Sequence, residues 1–336
     1  SWDELARHYG LEHQFALEWL PTRPWLRRYD YGLIAVRRAR RWQADLIYTR
    51  LPQAAALASM LGHKTIYEVH DLPQGRIGPM LFQLFLRGRG ACRLVLITQA
   101  LHEDLFPAAT SPVEVVIAPD GVDLARYRDL PGPLEARHRL LEHHPVPEEI
   151  NNLSPAKFTL GYSGHFYAGR GVSLILDVAA RLPELQFLLV GGDPDDVARL
   201  RHHLNTQGLE NVVLTGFVPN AELPLYQAAS DVLLMPYQTN IATSSGSNTA
   251  PYCSPMKLFE YMACQRPILS SDLPVLQEIL TPENAICLPI DVNAWVETIQ
   301  TLRLNPDRSR ALARQARHDV LNHTWTARTQ RILKDL

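Results

Sequence analysis

From Phe158 onward, short apolar runs alternate with stretches of helical periodicity. The apolar runs are TLGYSG (159–164), FLLVGG (187–192), VVLTGFV (212–218), DVLLMPY (231–237), PILSSD (267–272) and AICLPI (285–290). Helical patterns fill 172–181, 194–206, 220–229, 257–264, 273–280 and 291–302. Strands that are apolar on both faces and alternate with helices predict a parallel sheet covered on both sides. Residues 158–324 therefore read as one complete Rossmann-like domain.

The first half repeats the alternation less fully. ADLIYTR (44–50), KTIYEVHD (64–71), RLVLITQ (93–99) and VEVVIAPDGVD (113–123) read as strands, and FALEWL (15–20) as one more. A doubly wound sheet grows outward from a central first strand. No opening strand with a glycine turn is seen, so 1–123 reads as a second Rossmann-like domain, truncated of its first βαβ segment. The expected fold class is α/β, with two doubly wound parallel-sheet domains. Residues 124–157 combine a charged helical piece with PVPEEINNLSPAK, whose prolines and few large apolar residues suggest a linker or surface excursion. The polar, small-residue stretch 238–254 reads as a loop and a candidate lid.

Composition narrows the function classes. A length of 336 residues suits about two domains. The net charge of −2 gives no global basic field, which argues against nucleic acid as partner. The four cysteines are scattered without zinc spacing, a usage that suits a reducing cytoplasm. No apolar run approaches the roughly 18 residues that a membrane span needs.

The most informative stretch is SPMKLFEYMACQRPILSSDLP (254–274), a proline-led turn entering a helix with Glu260 read on its first turn. Unpaired amides and the positive end of the dipole make such a helix start an anion site, and the carboxylate could accept hydrogen bonds from ribose hydroxyls. Ordinary helix-start chemistry explains the same residues. GYSGHFYAGRG (161–171) lies where a phosphate loop belongs, between a strand and a helix. Leu174 breaks the dinucleotide fingerprint, and Arg170-Gly171 replaces the Lys-Ser/Thr of a nucleotide-triphosphate loop. What survives is a glycine turn bearing His165 and Arg170, whose planar fork suits a diphosphate. DPDD (193–196) reads as a helix N-terminus. His70-Asp71 ends a strand at the edge where α/β folds bind ligands. The pairs His143-His144 and His202-His203 read as solvated. Two arginine-rich segments, 23–42 and 76–90, fit an anionic membrane surface or a helix with an exposed arginine face, and both readings stand at this point.

Taken in order, ADLIYTR, YEVHD, APDGVD, YSGHFYAGRG, LVGGDPDD, LTGFVPNAELPLYQAASDVLLMPY, SPMKLFEYMA and RPILSSDLPVLQEIL resemble the family-4 retaining glycosyltransferases of the GT-B fold, the glycosyl transferases of group 1. The resemblance implies two Rossmann-like domains facing across a cleft, with a helix after Trp325 returning to the first. It implies that Glu260 binds ribose, that Gly216, Phe217 and Val218 receive the base, and that Ser254, Pro255, Met256, Lys257 and Leu258 wrap the diphosphate and sugar. Gly164, His165 and Arg170 would form the first phosphate turn, and His70 would approach the transferred sugar. Catalysis would be electrostatic, carried by Arg170, Lys257, Glu260 and His70, without metal or other cofactor. The donor would be a UDP- or GDP-linked sugar, the acceptor a carbohydrate or lipid-linked hydroxyl, and the site cytoplasmic or peripheral on the inner membrane face. Tyr252 stands where the family often has a second glutamate. His165 stands where it often has arginine, so phosphate affinity is expected to rise below about pH 6.5 as the imidazole protonates. A GT-B nucleotide-sugar 2-epimerase and a non-catalytic sugar-nucleotide-binding partner protein are the alternatives.

Overall fold

The computed structural model describes residues 2–336 apart from 12, 27–28, 108–109, 143–149, 151 and 242–247. In chain order the elements begin α1 (Trp2–Tyr9), α2 (Tyr29–Arg41), β1 (Ile47–Thr49), α3 (Pro52–Met60), β2 (Thr65–Val69), α4 (Gly78–Arg87), β3 (Ala91–Leu96), α5 (Gln99–Leu105), β4 (Val115–Ile117) and α6 (Pro133–Glu142). They continue with β5 (Thr159–Ser163), α7 (Val172–Arg181), β6 (Gln186–Val190), α8 (Pro194–Gln207), β7 (Val212–Gly216), α9 (Leu223–Ala228), β8 (Val232–Met235) and α10 (Met256–Cys264). The last are β9 (Ile268–Ser271), β10 (Ile286–Leu288), α11 (Val292–Leu304), α12 (Pro306–Asp319) and α13 (Trp325–Leu333). The chain divides into two compact units. One comprises Ser1–Gln14, Asp120–Ala250 and Pro255–Trp325, and the other Phe15–Pro119, Pro251–Ser254 and Thr326–Leu336.

The first unit is built on a parallel six-stranded sheet in the order β10-β9-β8-β5-β6-β7. Strands β5, β6, β8 and β9 are buried along their whole length, as expected of runs apolar on both faces. Leu160, Phe187, Leu189 and Leu234 pack there with Leu176 of α7 and with Trp295 and Ile299 of α11. The chain lays β6 and β7 to one side of β5, then returns to place β8 on the other. A topological switch therefore lies between β5 and β8, and a crevice opens at their carboxyl ends. The DPDD run starts α8, with Asp193 Oδ1 accepting from the Asp196 amide at 2.8 Å.

The second unit holds a parallel sheet in the order β1-β2-β3-β4. β2 is buried throughout, and α13 closes over the sheet by packing Ile332 on Ile66, Val95 and Ala118. The buried guanidinium of Arg93 fastens this helix by donating to the carbonyls of Ile332 and Lys334 while pairing with Glu114.

Four sequence readings are corrected. Residues 15–20 join no sheet, and Phe15, Leu17 and Trp19 stay exposed. Residues 273–280 wind as successive turns, with the amides of Leu276, Gln277 and Ile279 bonded to carbonyls three residues back. The described residues of 124–157 are no free linker: Arg137 is buried and donates to Ala229 O and Asp231 Oδ2, while Ile150 and Leu153 are core. Residues 1–14 group with the later unit in sequence, not with the first domain. His143-His144 and part of the proposed lid, 242–247, lie outside the described residues.

Candidate functional site

At the carboxyl ends of β5 and β8 the chain gathers two cations among tyrosines. α10 begins at Met256 after Pro255, an N-cap residue that makes no side-chain cap bond. Lys257 on that first turn carries its amine to 3.9 Å from the centre of the Tyr162 ring and 5.1 Å from that of Tyr237. The amine is buried and donates to no acceptor among the described residues. Burial is the main cause, and the neighbouring Arg170 the second, that holds its pKa well below 10.5. Gly164, at φ 137°, makes this approach feasible, since a Cβ there would lie 2.7 Å from Lys257 Nζ.

Arg170 reaches the same place from the loop before α7. Its Nη1 donates to the Tyr237 hydroxyl at 2.7 Å, and its buried Nε meets no acceptor among the described residues. Exposed His165 stacks on Tyr167 with ring centres 4.8 Å apart. Its pKa lies below 6.5, first because of partial burial and then because of the Arg170 and Lys257 charges, which Asp193 and Asp196 only partly offset. These causes displace protonation of the imidazole, and with it any gain in phosphate affinity, to lower pH than the sequence-based expectation. His165→Asn is expected to leave donor affinity unchanged at about pH 7.5 and to abolish the acid-side rise in a calorimetric pH series.

Glu260 is the fifth residue of α10, so it lies in the second turn and not the first. Its Oε2 accepts from Gln227 Nε2 at 3.1 Å, and the same amide nitrogen donates to Ser163 Oγ at 3.0 Å. Tyr127 fixes Gln227 by donating to its Oε1 at 3.0 Å. Burial pushes the Glu260 carboxyl up, against the lowering effects of Gln227, Arg126 and Lys257. No second donor reaches this carboxylate among the described residues, which leaves acceptor capacity for hydroxyls.

At the end of β7, Gly216 turns at φ 68°, and beyond it Phe217 is 63% exposed and Val218 is buried. His8 of α1 stacks on Phe217 at 5.7 Å. Sequence reasoning missed His8, Arg126, Gln227 and three tyrosines, 162, 237 and 261, the last of which accepts from the Ser163 amide at 2.8 Å. The tyrosines sit inside runs that read simply as strand or helix, and only the strand order reveals a shared crevice.

The remaining expected residues fall in the second unit. Ser254 belongs to it, immediately before Pro255. Tyr252 packs in its core and donates to Asp104 Oδ2 at 2.5 Å, so no second acid stands at that position. His70 lies just past β2, with Nε2 bonded to Glu68 Oε1. It lines a cavity of about 290 Å³ with Arg50, Asp71 and Gln74. Among the described residues no cluster of His, Cys, Asp or Glu could hold a metal ion, and no helix is long and apolar enough to cross a membrane.

Comparison with known proteins follows this geometry. Residues 170–334 match the family model described as glycosyl transferase-like. The chain is 30% identical over 123 residues to a protein of Bacillus subtilis (strain 168) named as the teichuronic acid biosynthesis glycosyltransferase TuaH; the match covers 37% of this chain and 29% of that one. It is 24% identical to D-inositol 3-phosphate glycosyltransferase of Kineococcus radiotolerans, over 98% of this chain and 71% of the relative. The chain thus spans under a third of one relative and under three quarters of the other. Among solved structures, Anabaena Alr3699/HepE in complex with UDP and glucose superposes with a TM-score of 0.68 at 19% identity, covering 90% of this chain and 79% of that one. This likeness shows the GT-B fold.

Proposed function

We propose, from the GT-B fold and the match of residues 170–334 to the glycosyl transferase-like family model, that the chain moves a sugar from a nucleotide diphosphate to an acceptor hydroxyl. The observation that supports this reading is the pair of cationic side chains whose buried nitrogens, Lys257 Nζ and Arg170 Nε, meet no acceptor among the described residues, beside a helix start whose N-cap is Pro255. Burying unpaired polar nitrogens is costly, so such a cluster implies an anion that completes it. A diphosphate would supply acceptors to both groups, which lie 5.1 Å (Lys257 Nζ) and 4.9 Å (Arg170 Cζ) from the centre of the Tyr237 ring. Glu260 then takes ribose hydroxyls, and the turn at Gly216 to Val218 takes the base.

In this reading the cations and the α10 amides stabilise charge that gathers on the departing diphosphate. The transition state resembles an oxocarbenium ion. Among the described residues no carboxylate is assigned as a nucleophile, and the path proposed is front-face with retention, the leaving phosphate accepting the acceptor's proton. The fixed positive groups stand in for a metal. His70 would contact the transferred sugar. The UDP and glucose held by the Anabaena neighbour support a nucleotide sugar as donor. The test is a thermal-shift screen of UDP, GDP and ADP sugars, followed by labelled-sugar transfer. At least one sugar nucleotide should raise the melting temperature and pass its label to an acceptor. Stabilisation by none sinks the reading, and label returning only as an epimer replaces it.

The acceptor is proposed to be a carbohydrate or lipid-linked hydroxyl of polysaccharide or glycolipid synthesis, met at an anionic cytoplasmic membrane face. On α2 the exposed residues Leu33, Arg37, Arg40 and Arg41 share one face, between the exposed indoles of Trp25 and Trp42. Each arginine near such a surface contributes about 1 kcal/mol, so reversing Arg37, Arg40 and Arg41 to glutamate should lower vesicle partitioning at least about 10²-fold. Cosedimentation with anionic and zwitterionic vesicles measures this, and equal binding to both would refute it.

A further inference from the structure

We propose that Glu68, which no motif singles out, is the positioning residue for His70: it holds the imidazole through Nε2, so that Nδ1 is the atom offered to a substrate hydroxyl. The inference deepens the role proposed above for His70 and rests on it. All of its parts lie within the second unit.

Glu68 is 5% exposed on the fully buried strand β2, and its two oxygens have separate duties. Oε1 faces His70 Nε2. Oε2 accepts from the Tyr48 hydroxyl on β1 and forms an ion pair at 3.0 Å with Arg328 of α13. Arg328 is itself fixed, because its Nε donates to Pro119 O at 2.9 Å and to Ala118 O at 3.3 Å. The carboxylate is therefore gripped from β1 and α13 while it grips the histidine.

Burial alone would raise the Glu68 carboxyl, but the contacts with His70 and Arg328 outweigh it and lower the pKa, so the group is ionised at neutral pH. An ionised carboxylate only accepts, so the proton between it and the ring belongs to Nε2. In neutral His70 the bare lone pair is then on Nδ1, on the ring edge away from Glu68. That ring borders the cavity shared with Arg50, Asp71 and Gln74. An Nδ1 acceptor there suits a sugar hydroxyl and excludes a group that cannot donate. A tautomer set by the partner of the other nitrogen is how a histidine acquires one role instead of two.

The test reads the tautomer directly. Long-range proton–nitrogen spectra of the ¹⁵N-histidine-labelled full chain, with the His70 signals identified by their loss in His70→Asn, should show the proton on Nε2. In Glu68→Gln the single amide oxygen is drawn to Tyr48 and Arg328, which places its NH₂ against Nε2. The tautomer should invert, and kcat should fall about 10-fold, the scale of one hydrogen bond lost with its partner left unmet, with donor Kd unchanged. A wild-type His70 protonated on Nδ1 overturns the proposal without any variant. So does a Glu68→Gln protein that keeps the Nε2 proton, or one that inverts the tautomer at full kcat. Failure of the transferase reading looks different: wild-type protein neither binds nor transfers a sugar nucleotide, whatever the tautomer.

Discussion

Glu260→Ala is expected to raise the donor Kd about 10²-fold, because hydrogen bonds to a charged group contribute about 1.5–3 kcal/mol and their partners are then left unmet. The isosteric change Glu260→Gln should weaken the donor too, yet raise the melting temperature of the free protein. The carboxylate lies in a buried place with one protein donor, Gln227 Nε2, and burial is the leading cause of its raised pKa. A carboxyl whose folded pKa exceeds its unfolded value binds its proton more tightly when folded. Its cost to stability is fully present above the folded pKa and disappears below the unfolded value near 4.5. The stability advantage of the Gln variant should therefore be largest at neutral pH and shrink as pH falls towards 4.5. For units of this size each kcal/mol moves the midpoint by about 2–4 °C, which calorimetry resolves. Unchanged donor affinity in Glu260→Ala would remove the residue from the site, and a Gln variant less stable at pH 7 would remove the strain argument.

The strand pattern was legible because the inner strands of a doubly wound sheet are apolar on both faces, and six such runs in order leave few arrangements. Residues 172–181 form a helix with the bounds read from sequence, whereas 273–280, with the same apolar periodicity, collapse into turns. FALEWL alternates like a strand but finds no ladder, and pairing is a tertiary event that alternation alone cannot supply. The site was legible where a residue type and its element coincide, as for Lys257 at a helix start and Arg170 on a glycine turn. It was illegible where crossovers assemble it. Gln227 lies 33 positions before Glu260 and meets it only because α9 and α10 flank the same strands. Glu68 looked like one polar residue in a strand, and its partners Tyr48 and Arg328 are 20 and 260 residues away. Family pattern has an arginine where this chain has His165, and partial burial together with the charges of Arg170 and Lys257 lowers the pKa of that imidazole, which the sequence alone does not show.

Lys257→Met should reduce kcat/KM about 10²- to 10³-fold, the scale of removing one preorganised donor to developing negative charge. The more searching expectation concerns protons. In the free protein the amine is enclosed by Tyr162 and Tyr237, repelled by Arg170, and only partly compensated by Glu260, so its pKa falls well below 10.5. A sugar diphosphate diester arrives with two negative charges and no titrating proton near neutrality. Its charge favours the ammonium, so the lysine pKa in the complex exceeds that in the free protein. Between those two values, binding takes up a proton and donor affinity falls as pH rises; below the free value it is independent of pH. Titration calorimetry in buffers of different ionisation enthalpy counts the protons. His165 and Glu260 are the other titrating groups beside the amine, so the count is repeated in His165→Asn and Glu260→Gln. Uptake should persist in both and vanish in Lys257→Met. Protons still taken up by the Lys257→Met protein would assign them elsewhere and leave the lysine as a permanent cation, which a buried amine without an acceptor is poorly placed to be.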